Sequence, residues 1–91
     1  MNHVLFSVAV PDDIQTWSKF AQTVEGRLKP YEKHIRKPVE SVWLVDNKAE
    51  PRALAWLIVT AEHQNFGYGL AVFDTAPEWL PVGSGQKTNQ A

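Results

Sequence analysis

The chain has 91 residues, of which 44% are apolar and 21% are charged, and its formal net charge is −1. A chain of this length supports one hydrophobic core and buries roughly two thirds of the surface that its unfolded state exposes. Because it contains no Cys, disulfides, thiolate nucleophiles and Cys-based zinc sites are excluded. The small net charge provides no general attraction to nucleic acid, so any electrostatic argument has to be local.

The two ends of the chain indicate its compartment and its domain organisation. The first residues lack the basic head, long apolar stretch and cleavage site of a signal peptide. The longest apolar run, residues 53–61, has about half the length of a membrane-spanning helix. We therefore expect a cytoplasmic protein without membrane contact, with a single α/β domain over residues 1–81. Residues 82–91 are rich in Gly, Ser, Gln and Asn, and this composition predicts a disordered tail.

The first half of the chain begins with a strand and a helix. Residues 3–10 are rich in Val and Phe and stop at Pro11, which predicts a central strand. Asp12 and Asp13 follow, at a position where a helix requires capping oxygens. Apolar residues then recur at steps of three and four up to Leu28, which predicts an amphipathic helix.

Three further strands are predicted. Residues 31–35 are consistent with a short, charged edge strand that ends in a turn at Lys37 and Pro38. Residues 40–46 are apolar on both faces, which is typical of a buried strand. Residues 68–75 are predicted to form a further strand, which ends at Pro77.

Residues 53–67 allow two interpretations, and these decide the fold. Leu54, Leu57 and Ile58 lie on one helical face, so a helix is favoured. The β-branched run at residues 58–60 and the polar residues 63–65 fit a strand that turns back as a hairpin. The helix gives an α+β, ferredoxin-like βαββαβ sandwich. The alternative is one helix packed on an antiparallel sheet, in the order βαβββ.

The four Trp residues fall into two groups. Trp17, Trp43 and Trp56 occupy periodic apolar positions and are predicted to lie in the core. Trp79 follows Pro77 outside the predicted elements and, together with Leu80, is a candidate anchor for a partner or a second protomer. The other interpretation of Trp79 is that it folds back over the open end of the sheet.

Positive charge is concentrated in one short segment. Five of the nine Lys and Arg residues lie within residues 27–37, and Glu32 is the only acidic residue among them. Basic side chains contact phosphates, and a Tyr ring can stack on a base. The candidate residues for binding nucleic acid or another partner are therefore Arg27, Lys29, Tyr31, Lys33, His34, Arg36 and Lys37. The alternative is a solvated helix end followed by a charged edge strand.

The sequence offers little support for catalysis. The three His residues lack the spacing of metal ligands, and none of the Ser residues lies in a Gly-x-Ser-x-Gly elbow. The Gly67-Tyr68-Gly69 segment opens a strand and not a helix, unlike a phosphate-binding loop. We predict no catalytic residue, no metal site and no cofactor, and so favour a protein that is not an enzyme.

Two short motifs carry a family resemblance. Glu-Ser-Val-Trp-Leu-Val-Asp at 40–46 precedes Gly-Leu-Ala-Val-Phe-Asp at 69–74, and Trp79 follows. This arrangement resembles the small ferredoxin-like nuclease subunit of CRISPR adaptation complexes and its non-CRISPR relatives. The resemblance implies a homodimer formed through strand and tail contacts, with a surface that faces nucleic acid.

One position departs from the pattern of that family. Its first strand ends with an acidic residue, and the pair from two protomers binds a divalent metal. Ala9 stands at this position here, and a methyl group cannot coordinate a cation that requires oxygen ligands. The resemblance therefore implies that nuclease chemistry is lost, unless Asp12 or Asp13 replaces the missing acid.

These observations lead to one expected function and one alternative. We expect a non-catalytic, dimeric binding protein that contacts a macromolecular partner, either a protein or a nucleic acid. A regulator, an inhibitor and an immunity-type protein all fit this description. The alternative is a metal-dependent nuclease of the CRISPR-adaptation type.

Overall fold

The computed structural model describes residues 2–79, and these form four strands, two α-helices and a 3-10 helix. The predicted tail at 82–91 and the candidate interface residue Leu80 lie outside the described residues. In chain order the elements are β1 (His3–Val8), α1 (Ile14–Leu28), the 3-10 helix (Lys29–His34), β2 (Ile35–Val39), β3 (Val42–Asp46), α2 (Pro51–His63) and β4 (Tyr68–Phe73).

The four strands form one antiparallel sheet in the order β2-β3-β1-β4. The first strand is central and pairs with β3 on one side and with β4 on the other. The fold is therefore α+β, with two helices and a four-stranded antiparallel sheet, and it fits a ferredoxin-like arrangement. Neither helix in the described residues has the length and hydropathy of a membrane span.

The ambiguous segment is helical, so the βαβββ alternative is wrong. Pro51 occupies the first turn of α2, and the Glu50 side chain caps the helix by accepting a hydrogen bond from the Arg52 N–H. Within the β-branched run, the Thr60 hydroxyl is satisfied by donating to the Trp56 carbonyl at 2.7 Å. Burial of one helical face, made by Ala53, Leu57, Thr60 and Ala61, outweighs the local β propensity.

The predicted edge strand at 31–35 and the turn at Lys37-Pro38 are both wrong. Residues 29–34 form the 3-10 helix, with Pro30 in its first turn, and the edge strand β2 begins only at Ile35. Pro38 lies inside this strand, which is tolerated because an edge strand needs no N–H donor on its outer side. The pairing with β3 also shifts register between Arg36 and Val39, as occurs at a bulge.

The other elements agree with prediction, with shorter bounds. The helix α1 is confirmed, with Asp13 as its N-cap. The strands β1 and β4 each end two residues earlier than predicted, and β3 begins two residues later. In β3 the difference arises because Glu40 and Ser41 form the turn between β2 and β3.

The core lies between the sheet and the helices. Val4, Phe6 and Val8 of β1 are buried, and side chains alternate along a strand, so His3, Leu5 and Ser7 point to the open face of the sheet. Aromatic rings fill the centre of the core, where Phe20 stacks on Phe66 with the ring centroids 4.2 Å apart. Each such pair adds stability beyond its burial of apolar surface.

Only part of the prediction for the Trp residues holds. Trp43 is buried and Trp17 packs against the core from its edge. Trp56 is 38% exposed, so its predicted place in the core is wrong. It lies one position before buried Leu57 on α2 and turns towards α1, where the Arg27 guanidinium covers its ring.

Candidate functional site

The fold divides the seven candidate residues of the basic segment among separate locations. Arg36 lies opposite Leu44 in the sheet register, so it points to the open face. Lys37 reaches the other face, where its Nζ lies 5.1 Å from the centroid of the buried Trp43 ring. A continuous basic surface over residues 27–37 is therefore not what the structure presents.

Two of the candidates, Arg27 and Tyr31, contact residues of α2. Arg27 donates from Nη1 to the Thr60 hydroxyl at 2.8 Å and covers Trp56. Tyr31 packs against the core, and the Arg52 guanidinium lies 5.3 Å from the centroid of its ring. These contacts join α1, the 3-10 helix and α2, and they give both side chains a structural role.

Arg52 is held in place by Glu50. Its Nε donates to Glu50 Oε2 at 2.7 Å and its Nη2 donates to Oε1 at 3.1 Å. The guanidinium hydrogen bonds hold the pKa of Glu50 below its ordinary value. The same carboxylate caps α2, so it satisfies the helix terminus and fixes the guanidinium beside Tyr31.

Lys29 and Lys37 line a cleft of about 360 Å³ beside α1 and β2. Its apolar floor is made by Val24, Leu28, Ile35 and Trp43, and its acidic residues are Glu25, Glu32 and Glu40. Lys37 Nζ donates to the Glu40 carbonyl at 2.7 Å and lies 3.7 Å from Oε1 of the Glu40 carboxylate. Three carboxylates against two ammonium groups leave no positive excess for an anionic ligand.

Lys33, His34 and Arg36 line a second, smaller cleft of about 180 Å³, which we name the corner cleft. Its remaining lining residues are His3, Leu44, Val45, Asp46, Ala76 and Pro77. It lies where β1 and β2 begin and β3 ends. The structure therefore brings together three of the seven predicted residues.

Six lining residues of the corner cleft were missed by sequence reasoning. His3 pairs with Asp46, and Leu44 pairs with Arg36, so all four point to the open face. The sequence separation between His3 and Arg36 conceals this arrangement. Alternation along the strands would have revealed it only if the strand order had been known.

The basic side chains of the corner cleft form no hydrogen bond or ion pair in the described part of the chain, although His34 interacts electrostatically with Glu50. Within residues 2–79, His3, Lys33, His34 and Arg36 make no side-chain hydrogen bond or ion pair. The single carboxylate of the cleft is engaged elsewhere, since Asp46 Oδ1 accepts a hydrogen bond from the Ala49 N–H at 3.1 Å.

Asp13, which follows the end of β1, supports the helix α1. Asp13 accepts hydrogen bonds from the Gln15 N–H and from the Thr16 hydroxyl, which lower its pKa, the hydroxyl having the larger effect. Ala9 is exposed and hydrogen-bonds through its N–H to the Gly67 carbonyl at 2.8 Å. Among residues 2–79, no three His, Asp or Glu side chains are grouped as a metal ion would require.

The chain beyond β4 returns across the sheet. Ala76 and Pro77 line the corner cleft together with Leu44 of β3 and Arg36 of β2. This segment therefore lies close to these two strands. Trp79 is 38% exposed. Its predicted role as an interface anchor together with Leu80 stays a prediction.

The two edge strands differ in how they are protected. The edge strand β2 carries Arg36, Lys37 and Pro38 and has an irregular register. The other edge strand, β4, has the sequence YGLAVF, without charge or Pro, and a regular six-residue register with β1. Leu70 and Val72 of β4 are 47% and 51% exposed. Charge, Pro and bulges are the usual means of preventing edge pairing, and β4 has none of them.

Comparison of the chain with protein-family models, with curated proteins and with solved structures gives no match.

Proposed function

We propose that this protein is a non-catalytic binding protein that forms a homodimer through β4 and contacts a macromolecular partner, as a regulator, inhibitor or immunity-type protein does. The unprotected edge of β4 carries this proposal. Among residues 2–79, β4 has a neighbouring strand on one side only, so its outer N–H and C=O groups are available to another strand. Strand addition at such an edge is a common mode of protein recognition.

A second copy of the chain is the occupant that best fits this edge. A two-fold axis perpendicular to the sheet would pair β4 with the β4 of the partner in the antiparallel direction. Because β4 carries no charge, this pairing places no like charges opposite each other. Leu70 and Val72 would become covered, and so would part of the exposed apolar surface that a small monomer retains.

The family relationship is part of the same proposal. We infer a ferredoxin-like sandwich related to the CRISPR-adaptation nuclease subunits and their non-CRISPR relatives. In support, β1 and β2 run parallel on either side of β3, which is a split βαβ arrangement. The motifs at 40–46 and 69–74 contribute β3 and most of β4.

The experiment is a mass measurement by analytical ultracentrifugation across a range of concentrations. We expect a dimer for the wild type and a monomer for Leu70→Lys with Val72→Lys, because an inserted charge blocks pairing at an edge. Ile14→Lys is the matched control, since Ile14 is also exposed, at 76%, but lies on α1. Circular dichroism verifies that all variants fold. A monomeric wild type, or a β4 variant that stays dimeric, would overturn the proposal.

A further inference from the structure

We infer that the corner cleft is a binding site for a phosphate group. The inference deepens the proposed function by naming a ligand, and it rests on that proposal only in taking the protein to act by binding. It does not depend on the dimer, because no residue of β4 lines the cleft.

The fold assembles the cleft from distant parts of the chain. Arg36 opposite Leu44 and His3 opposite Asp46 are fixed by the strand register. Lys33 and His34 enter from the end of the 3-10 helix, and Ala76 and Pro77 form the remaining wall. Four nitrogen-bearing side chains therefore meet at one place.

The charge in the cleft favours an anion. Lys33 and Arg36 contribute two positive charges, against the single carboxylate of Asp46, which also accepts the Ala49 N–H. Neither cation is paired within residues 2–79, so a ligand would not have to break an existing ion pair. Arg offers planar, paired donors and Lys a compact charge, and both groups bind phosphate strongly.

The volume limits what the cleft can hold. About 180 Å³ is below the roughly 300–1,000 Å³ of pockets that enclose a complete small ligand. The cleft is therefore suited to one phosphate and part of an attached group, with the remainder outside. Leu44, Ala76 and Pro77 provide an apolar wall that a sugar ring can contact.

The cleft on the helix side serves as an internal comparison. Lys29 and Lys37 also belong to the basic segment, but they share their cleft with three carboxylates. If phosphate binding depended only on the charge of the segment, both clefts would contribute equally. The inference instead predicts that binding depends on Lys33 and Arg36 and not on Lys29.

The experiment is an NMR titration of the ¹⁵N-labelled full chain in phosphate-free buffer. The probes are inorganic phosphate, adenosine 5′-monophosphate and a single-stranded oligouridylate. We expect amide shifts at Lys33, His34, Arg36 and Asp46 with all three probes. Tighter binding of the oligouridylate, by about ten-fold or more, identifies a nucleic-acid backbone as the source of the phosphate, whereas equal affinities for the last two probes identify a free phosphate compound.

Charge reversal tests the residues themselves. Lys33→Glu and Arg36→Glu should each weaken binding by about ten-fold or more, because each removes a charge-assisted hydrogen bond. Lys29→Glu changes the net charge equally and should keep the affinity within about two-fold. For the oligouridylate, the double variant Lys33→Glu with Arg36→Glu should lower the salt slope by about 0.7, because the one phosphate in the cleft is no longer neutralised.

Two results would overturn the inference. One is the absence of shifts at the corner cleft with every probe, and the other is an equal loss of affinity in Lys29→Glu. The masses of the same variants separate this inference from the proposed function, since charge reversal at Arg36 should leave the dimer intact. Binding that fails in a dimeric protein contradicts the phosphate site alone, and binding that persists in a monomeric wild type contradicts the dimer alone.

Discussion

The guanidinium carbon of Arg27 lies 4.7 Å from the centroid of the Trp56 ring. This contact joins the last turn of α1 to the exposed side of α2. The Nη1 atom of the same guanidinium donates to the hydroxyl of buried Thr60. A residue that belongs to the basic segment in the sequence therefore acts as a bridge between the two helices.

Arg27→Ala should destabilise the protein without affecting phosphate binding. We expect the free energy of unfolding to fall by about 1–2 kcal/mol, because the substitution removes both a cation–π interaction and a hydrogen bond. Chemical denaturation measures this change, and the NMR titration measures the affinity. Arg27→Lys retains the charge without the planar fork and should fall between the wild type and the Ala variant. A stable Ala variant with weakened phosphate binding would contradict the structural role of Arg27.

The Asp13 cap on α1 should make the stability of the protein depend on pH in the acid range. Because hydrogen bonds hold the pKa of Asp13 below its ordinary value, its contribution to stability is complete above about pH 3.9. The contribution is lost as the pH falls through the lowered pKa. Asp13→Ala should therefore lower the thermal unfolding midpoint at neutral pH, and the difference from the wild type should shrink in acid. Asp12→Ala is the control, and we expect it to behave as the wild type at both pH values.

The hydrogen bond between Tyr68 and Glu62 should be detectable as a shift in the alkaline titration of Tyr68. The Tyr68 hydroxyl donates to Glu62 Oε2 at 2.7 Å, and this bond is the main cause that raises the pKa of the phenol. A raised pKa in the folded state stabilises the protein below the ordinary Tyr value of about 10, and this stabilisation is lost as the pH rises through the raised value. Glu62→Gln should shift the ultraviolet absorbance transition of Tyr68 to lower pH. An unchanged transition would show that the bond does not persist in solution.

The aromatic centre of the core should be the most sensitive part of the protein. Phe20 is fully buried, stacks on Phe66 and meets Trp43 edge-on. Phe20→Ala should cost about 3–5 kcal/mol because it leaves a cavity as well as removing apolar contacts. Phe20→Leu retains more of the volume and should cost less. Urea denaturation measures both variants, and equal losses would mean that the site collapses around the smaller side chain.

The nuclease alternative makes a separate prediction. Ala9 offers no oxygen ligand and Asp13 is engaged at the helix cap, so we expect no hydrolysis of RNA or DNA with magnesium or manganese. Hydrolysis that disappears in Asp12→Ala or Asp13→Ala would revive the alternative, with an acid beyond β1 in the role of the missing one.

The sequence predicts those parts of the fold that depend on local patterns. Capping at Asp13 and apolar spacing locate α1, and uninterrupted apolar runs locate β1, β3 and β4. The predicted position of the edge strand β2 is wrong because local patterns do not define this strand. Its stability comes from pairing with β3, which allows it to contain two cations and Pro38. The predicted burial of Trp56 is wrong because a shift of one position along a helix turns a side chain by about 100°.

The candidate site depends even more than the fold on contacts between residues that are distant in the sequence. The local concentration of Lys and Arg includes Lys33 and Arg36, which the structure places in one cleft. The sequence alone does not show that alternation sends Arg36 and Lys37 to opposite faces, or that strand order brings His3 to the same corner. These relationships are long-range, and they depend on a strand order that local patterns do not specify.

The unequal protection of β2 and β4 would also determine how far the proposed assembly can grow. Pairing of β4 with its copy would use both available edges and give a continuous sheet of about eight strands. That sheet would be bounded at each end by β2, whose cations, Pro38 and shifted register resist further addition. Growth of the proposed dimer would therefore stop at two copies, and one short charged strand would protect it from forming fibres.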